Sequence, residues 1–465
     1  GVIDRLPYLA ELGINAIEIM PVAEFAGDYS WGYNPAFPFA VTTSYGGREA
    51  FRELVTAAHA QGIGVIMDVV YNHFGPQDLS LWQFDGWHVD GKGGIYFYND
   101  WRSKTPWADT RPDYGRLPVR QFIRDNVFMW FEEFGVDGLR WDATNYIRHA
   151  HGHDGDPGAA IEAGWQLMQT INAEVQEKLP GKLLIAEDLQ NNTAVTLPVA
   201  QGGLGFTAQW EAQFVHPIRH AVIAALDEER EITAVSAALT TRDNDNPWSR
   251  LLYTESHDEV ANGKARVPEE ISHGAADNFY AKKRSTLGAA LLFTAPGIPM
   301  IFQGQEFLED GWFDDHVPLD WQKAVANAGI LCLYRDLIAL RRNRYGRTHG
   351  LQGPHINVMH VNNDQKVIAY HRWEFGGPGD DVIVVANFSH RPLDGYTIGL
   401  PRAGRWCVRF NCDDQTYDAS FGGHCCPDVI AAPARDDAHT FDGMPCLGNV
   451  TLAPYSALIL SQDQA

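Results

Sequence analysis

Seven short apolar runs, each followed by polar residues, restrict this chain more than any other feature of its sequence. They occupy residues 15–20 (NAIEIM), 64–70 (GVIMDVV), 136–141, 182–187 (KLLIAE), 206–210, 249–255 and 298–302. Helical periodicity lies around and between them, at 2–12 (ending at Gly13), 47–61, 119–134, 161–179, 216–227, 280–293 and 325–343. Strand, helix and strand in alternation mean parallel β/α units. Polar residues at the ends of four or more strands favour a (β/α)8 barrel over the alternative, an open doubly wound sheet. Seven strands do not close such a barrel. Because a helix comes first, the first barrel strand is expected to be missing from this sequence and to lie before Gly1, or to be supplied by another segment.

The rhythm lapses over residues 74–118, a stretch rich in Gly, Trp, Asp and Pro that is expected to fold as an inserted loop domain over the mouth of the sheet. From about residue 351 the period changes to two (INVMHV, KVIAYHRWEF, DVIVVANFS, YTIGL, ALILS), which predicts a C-terminal antiparallel β-sandwich. The expected division is a catalytic barrel over 1–73 and 119–350, the insertion over 74–118, and the β-sandwich over 351–465.

Charge narrows the partners. Lys and Arg number 36 against 59 Asp and Glu, a formal charge of −23, which disfavours nucleic acid and anionic membrane surfaces and suits a neutral substrate. The 14 Trp, 17 Tyr and 23 Phe fill a core and can also stack on sugar rings. No apolar run reaches transmembrane length and no signal peptide opens the sequence, so a cytoplasmic location is the default expectation, although a secreted protein after processing would read the same way. Cys332 stands apart from Cys407, Cys412, Cys425, Cys426 and Cys446, none with zinc-like spacing. Disulfides within the later group are left open. No nucleotide loop, redox centre or metal cluster is readable, and no cofactor is expected.

The candidate chemistry sits at the strand ends. In FGVDGLRWDATNY, alternation points Arg140 and Asp142 the same way, and a fixed guanidinium keeps a neighbouring carboxylate ionised, as a nucleophile requires. A structural ion pair would give the same pattern. Glu187 ends the apolar run LLIAE, where desolvation can let it carry a proton. Asp258 follows His257 beyond a third strand and can accept sugar hydroxyls. Cleavage of a glycosidic bond with retention needs two such carboxylates roughly 5–5.5 Å apart. His73 and His257 are candidate hydroxyl donors or packing residues. Tyr33, in SWGYNP, offers a stacking face or a rigid turn.

Four segments then carry a specific resemblance: DVVYNH (68–73), GLRWDATNY (138–146), IAED (185–188) and ESHDE (255–259) resemble the signature regions of the alpha-amylase family, glycoside hydrolase family 13. The resemblance implies Asp142 as nucleophile, Glu187 as general acid/base and Asp258 as transition-state stabiliser. Tyr33, His73, Arg140 and His257 would complete the site of the cleaved sugar. Within the family, SHDEVANGK (256–264) and GFTAQW (205–210) resemble glycogen branching enzymes, and TPWAD (105–109) resembles the maltooligosyltrehalose trehalohydrolase type. That likeness places Trp210, Glu259 and Lys264 on the acceptor side. It implies a 1,4-alpha-glucan branching enzyme that transfers cleaved α-1,4 chains to 6-hydroxyls. The alternatives are an amylase-type hydrolase of α-1,4-glucans or maltooligosaccharides, a trehalohydrolase, and a carbohydrate-binding protein on an inactive barrel. Family members that hold structural calcium use an Asn matching Asn72 and a position near Asn145; the short insertion and the departure at Asn145 imply no metal.

Overall fold

The computed structural model describes residues 1–434 and 440–464. The chain divides into two compact units, Gly1–Trp210 and Glu211–Ala465.

In the first unit the helix Val2–Leu12 stops at Gly13, whose left-handed φ of 102° lets its N–H reach back to the carbonyls of Leu9 and Ala10. Strand β1 (Ala16–Ile19) follows, then a short antiparallel ribbon of β2 (Ala23–Phe25) and β3 (Pro35–Val41). Next come β4 (Gly64–Val69), β5 (Gly138–Trp141), β6 (Leu183–Ala186) and β7 (Ala208–Trp210). Strands β1, β4, β5, β6 and β7 lie side by side in that order, with parallel neighbours. Helices Gly47–Ala60, Leu117–Glu132 and Glu162–Lys178 alternate with them, as the sequence predicts. The register sets Asp68 opposite Arg140 and Trp141 opposite Ala186.

Residues 74–118 contain no named strand, and their aromatic side chains carry the packing. Phe74, Phe97, Tyr98 and Tyr114 are buried in the same core as Trp141 and Leu139. Arg111, fully buried, donates to the carbonyls of Arg102 at 2.7 Å and Ala150 at 2.8 Å, tying the insertion to the loop after β5.

In the second unit β8 (Arg250–Leu252) and β9 (Ile298–Pro299) pair in parallel. The helix expected at 216–227 spans Ala212–Ile223. Glu211 caps it by accepting from the N–H of Gln213 at 2.9 Å, and Pro217 lies inside it rather than at its start. The helix expected at 325–343 is two, Trp321–Ala326 and Ala328–Arg341, parted at Asn327. Strands β10 (His355–Asn362), β11 (Val367–Trp373), β12 (Val382–Asn387), β13 (Leu393–Leu400), β14 (Gly404–Asn411), β15 (Val429–Pro433), β16 (Cys446–Leu452) and β17 (Ser456–Ser461) form an antiparallel sheet. Its core includes Val385, Leu400, Trp406, Val450 and Leu458. This sheet is held to the helix Phe279–Thr294 by a buried ion pair, Lys283 Nζ to Asp413 Oδ1 at 2.7 Å. All six cysteines are free thiols. Among the described residues no helix is long and apolar enough to cross a membrane.

Gly164 makes a sharp test of the packing around Asp142. A Cβ there would lie 1.9 Å from the carbonyl oxygen of Ile147, in the helix that follows Asp142. Helix propensity alone favours Ala over Gly by about 1 kcal/mol. The backbone contact reverses the sign, and Gly164→Ala is expected to destabilise by about 1–3 kcal/mol, read as a lowered midpoint in thermal or denaturant unfolding.

Candidate active site

Arg140 is the centre of the site in the first unit. Its side chain is fully buried, with one nitrogen, Nη1, hydrogen-bonded to Asp68 (3.0 and 2.8 Å) and to Asp142 Oδ1 (2.9 Å). Its other arm, Nη2, ion-pairs with Glu187 Oε2 at 2.9 Å, off the line of a hydrogen bond. The guanidinium carbon lies 4.6 Å from the Trp210 ring centroid and 5.7 Å from that of Tyr33. A planar, weakly hydrated cation suits this stacked and forked setting better than an ammonium would.

The two carboxylates singled out by sequence are thus held by one guanidinium. Asp142 stands just beyond β5, where its Oδ2 also accepts from Asn72 Nδ2 at 2.6 Å. Asn72 Oδ1 in turn accepts from His73 Nδ1 at 2.5 Å. Ala143, next in the chain, has a left-handed φ of 41°, and its N–H donates to Glu187 Oε2 at 2.9 Å. A non-glycine residue in this region carries strain of order 1–3 kcal/mol, here placed between the two acids. Arg140 and Ala143 both address Oε2, so neither donor holds Oε1.

Two further acids were not singled out by sequence. Asp68 accepts from Tyr33 Oη at 2.5 Å as well as from Arg140, and Glu18 on β1 interacts electrostatically with Arg140 and Glu187. Both are carboxylates inside otherwise apolar strands, IEI and IMDV, and that pattern was the available signal. Burial pushes Asp68 and Glu18 up to about 7, with Arg140 opposing the rise. Burial and the negative charge of Glu187 likewise raise Asp142 well above the usual carboxylate range, outweighing the pull of Arg140 on which the sequence expectation of an ionised Asp142 rested. For Arg140 burial acts to lower the value, but the surrounding carboxylates hold it well above normal, so it stays charged. Burial lowers His73 to about 4, leaving it neutral near pH 7.

Some expected roles need adjusting. Trp210, assigned by sequence to an acceptor position, is only 3% exposed and packs on Arg140, so it supports the site rather than offering a face to an incoming chain. His73 is buried at 2% exposure, with the Trp107 ring stacked on it at 5.0 Å and 17°, so it presents little surface of its own to a hydroxyl. Asn72 is committed to Asp142 and His73, and Asn145 Nδ2 to the carbonyl of Gly152 at 2.8 Å.

In the second unit, the turn after β8 gathers the other candidates. His257 is buried, its Nε2 lying 3.4 Å from Oδ2 of the half-exposed Asp258. Glu259 Oε2 accepts from Lys264 Nζ at 3.0 Å, and the Glu259 N–H donates to Ser256 Oγ at 3.1 Å.

With this geometry in view, the family description "Alpha amylase, catalytic domain" matches residues 1–82 and 77–336, and "Alpha amylase, C-terminal all-beta domain" matches 358–463. The chain belongs to the alpha-amylase family. Among its curated relatives are the 1,4-alpha-glucan branching enzymes GlgB of Roseobacter denitrificans (30% identical, 98% of this chain, 62% of the relative) and Rhodospirillum rubrum (31%, 98% and 61%). The chain therefore spans about three-fifths of the length of these relatives. The crystal structure of a candidate alpha amylase from Salmonella typhimurium shares the fold, with a TM-score of 0.69 at 22% identity over 99% of this chain and 78% of that one. The architecture is thus the family's α/β barrel class with a separate antiparallel domain.

The raised values of Asp68 and Glu18 give stability a pH dependence of definite sign. Below Asp68's ordinary value of 3.8, folded and unfolded chains both hold its proton. Between that pH and about 7 only the folded chain does, so raising the pH costs stability until the folded group ionises too. In Asp68→Asn, denaturant titrations across this range are expected to show a shallower fall in stability than in the unaltered protein.

Proposed function

We propose that this chain is a retaining α-glucan enzyme that transfers cleaved α-1,4 chains to sugar 6-hydroxyls, as a branching enzyme does. The observation that carries the retaining chemistry is the single guanidinium of Arg140 binding both Asp142 and Glu187. A shared clamp is a short tether, as suits a nucleophile and an acid/base acting on one bond. In the first step an Asp142 oxygen bonds to the anomeric carbon as the bond to the leaving chain breaks. Glu187 gives the leaving oxygen its proton, and Oε1, not held by the Arg140 and Ala143 donors, is the oxygen suited to carry it. In the second step Glu187 takes a proton from the acceptor hydroxyl, which bonds to the anomeric carbon and releases Asp142.

Asp258 is assigned to stabilising the transition state, and His257, Tyr33 and His73 to shaping the cleaved-sugar site. Glu259 and Lys264, joined by an ion pair, are assigned to the acceptor side. A sugar acceptor, rather than water, is supported by the branching relatives that align with 98% of the chain. The proposed division is a barrel over 1–73 and 119–350, an inserted cover over 74–118 and a C-terminal sheet domain over 351–465. A cytoplasmic setting is part of the proposal.

Incubation with amylose, recording reducing ends and α-1,6 linkages over time, tests the acceptor. Accumulation of α-1,6 linkages with few new reducing ends is expected; reducing ends without new linkages would make water the acceptor and the enzyme a hydrolase. Asp142→Asn and Glu187→Gln are each expected to lower kcat by about 10⁴-fold or more. Unchanged turnover in either variant would remove that residue from the mechanism, whereas no turnover by the unaltered protein on any α-glucan would return it to the carbohydrate-binding reading.

A further inference from the structure

At the root of the turn that carries His257 and Asp258, the second unit encloses a cavity of about 10 Å³, and every residue lining it is buried. Three oxygens of its walls, Glu255 Oε2, Ser285 Oγ and Tyr334 Oη, have no hydrogen-bond partner among the described residues. The neighbouring Thr286 bonds its hydroxyl back to the Lys282 carbonyl at 2.9 Å, a bond open to any helical serine, yet Ser285 does not make it. Gln305 also lines the cavity, but its Nε2 donates to Thr254 Oγ1 at 2.8 Å and its Oε1 accepts from the N–H of Phe302 at 3.1 Å. Burial and then the charge of Glu255 raise the Tyr334 phenol well above its ordinary value, with the nearby Gln305 amide opposing, so the phenol and the carboxylate sense one another. A buried polar atom without a partner is costly and rare, and three around one small space call for a common partner.

Size and charge select that partner. The volume holds one water molecule and nothing larger. A cation is disfavoured, because Arg266 Nη1 lies 3.6 Å from Glu255 Oε2 and Arg219 Nη1 donates to the Thr254 carbonyl at 3.0 Å, two positive charges beside one carboxylate. Water donates to the carboxylate and exchanges hydrogen bonds with the two hydroxyls, and three partners are typical of an internal water.

We infer that this cavity is a binding site for a single internal water, held by Glu255, Ser285 and Tyr334, and that the water helps to anchor the loop over 256–266. The other oxygen of Glu255, Oε1, accepts from the N–H of Val267 at 2.6 Å and so ties together the two ends of that loop. His257, Asp258, Glu259 and Lys264 all lie within it. The inference is independent of which acceptor the enzyme uses.

Gly288 supplies the test. It lies inside the helix Phe279–Thr294 on the cavity wall, where a Cβ would meet only two Val222 methyl carbons, at 3.5 and 3.9 Å. In a dry cavity, Gly288→Ala would gain both helix propensity and packing, and Gly288→Ser would gain less. With water in place the order reverses, because alanine narrows the site and strands the three oxygens, whereas serine brings a hydroxyl of its own. The thermal midpoint of Gly288→Ala is expected about 1–4 °C below that of the unaltered protein, with Gly288→Ser closer to it. Hydrogen exchange at the Val267 N–H should be faster in the alanine variant than in the serine one. A midpoint for Gly288→Ala above that of Gly288→Ser would overturn the water site, and equal Val267 exchange in the two variants would overturn its anchoring role. A crystal structure of the unaltered chain checks the site directly: one solvent peak about 2.6–3.2 Å from all three oxygens is expected, and a cavity without density would sink the inference even if neither variant folded.

Discussion

A buried guanidinium surrounded by carboxylates is the interaction on which the first unit is arranged. Burying one charge is costly unless paired, and burying several is costlier still. Arg140 meets Asp68, Asp142 and Glu187, and the last two belong to the ends of adjacent strands. The parallel register that puts Asp68 opposite Arg140 is therefore also what brings the two proposed reacting acids to one cation. A one-residue slip would turn these side chains to the other face and leave charges in the apolar layer behind the sheet.

Around that centre, aromatic rings do the positioning that hydrogen bonds cannot. Tyr33 and Trp210 cover the guanidinium, and Trp107 covers His73. The insertion over 74–118 gains its shape from the same source: its buried Phe and Tyr residues join the main core, while Arg111 satisfies backbone carbonyls on the loop after β5. An irregular segment can be fixed in this way without a ladder of its own.

Much of this was legible in the sequence because it rests on periodicity and on polar residues at strand ends. Strands β1, β4, β5 and β6 and the acids Asp142 and Glu187 are of that kind. The unread parts broke a local rule for a tertiary reason. Pro35 and Pro38 argue against a strand, yet β3 pairs only with the short β2 and so tolerates them. Strand β16 was not among the runs read from the sequence; Gly448 lies inside it, where a Cβ would meet Val429 at 2.5 Å. The helix expected at 216–227 begins earlier, because the Glu211 cap starts it at Ala212 and Pro217 falls inside it. Trp210 was placed on the acceptor side by the likeness of GFTAQW to branching enzymes, and its burial against Arg140 is a tertiary fact that no motif displays. Glu18 and Asp68 were passed over because a lone acid in an apolar strand has no partner until the strands are set side by side.

The left-handed backbone of Ala143 bears on how this site can vary. Branched side chains are poorly tolerated at such a dihedral, and a glycine would loosen the turn that aims the N–H at Glu187. The position beside the proposed nucleophile therefore has a narrow usable alphabet even though its methyl group takes no part in the chemistry. At this turn, backbone shape and acid placement are one and the same variable.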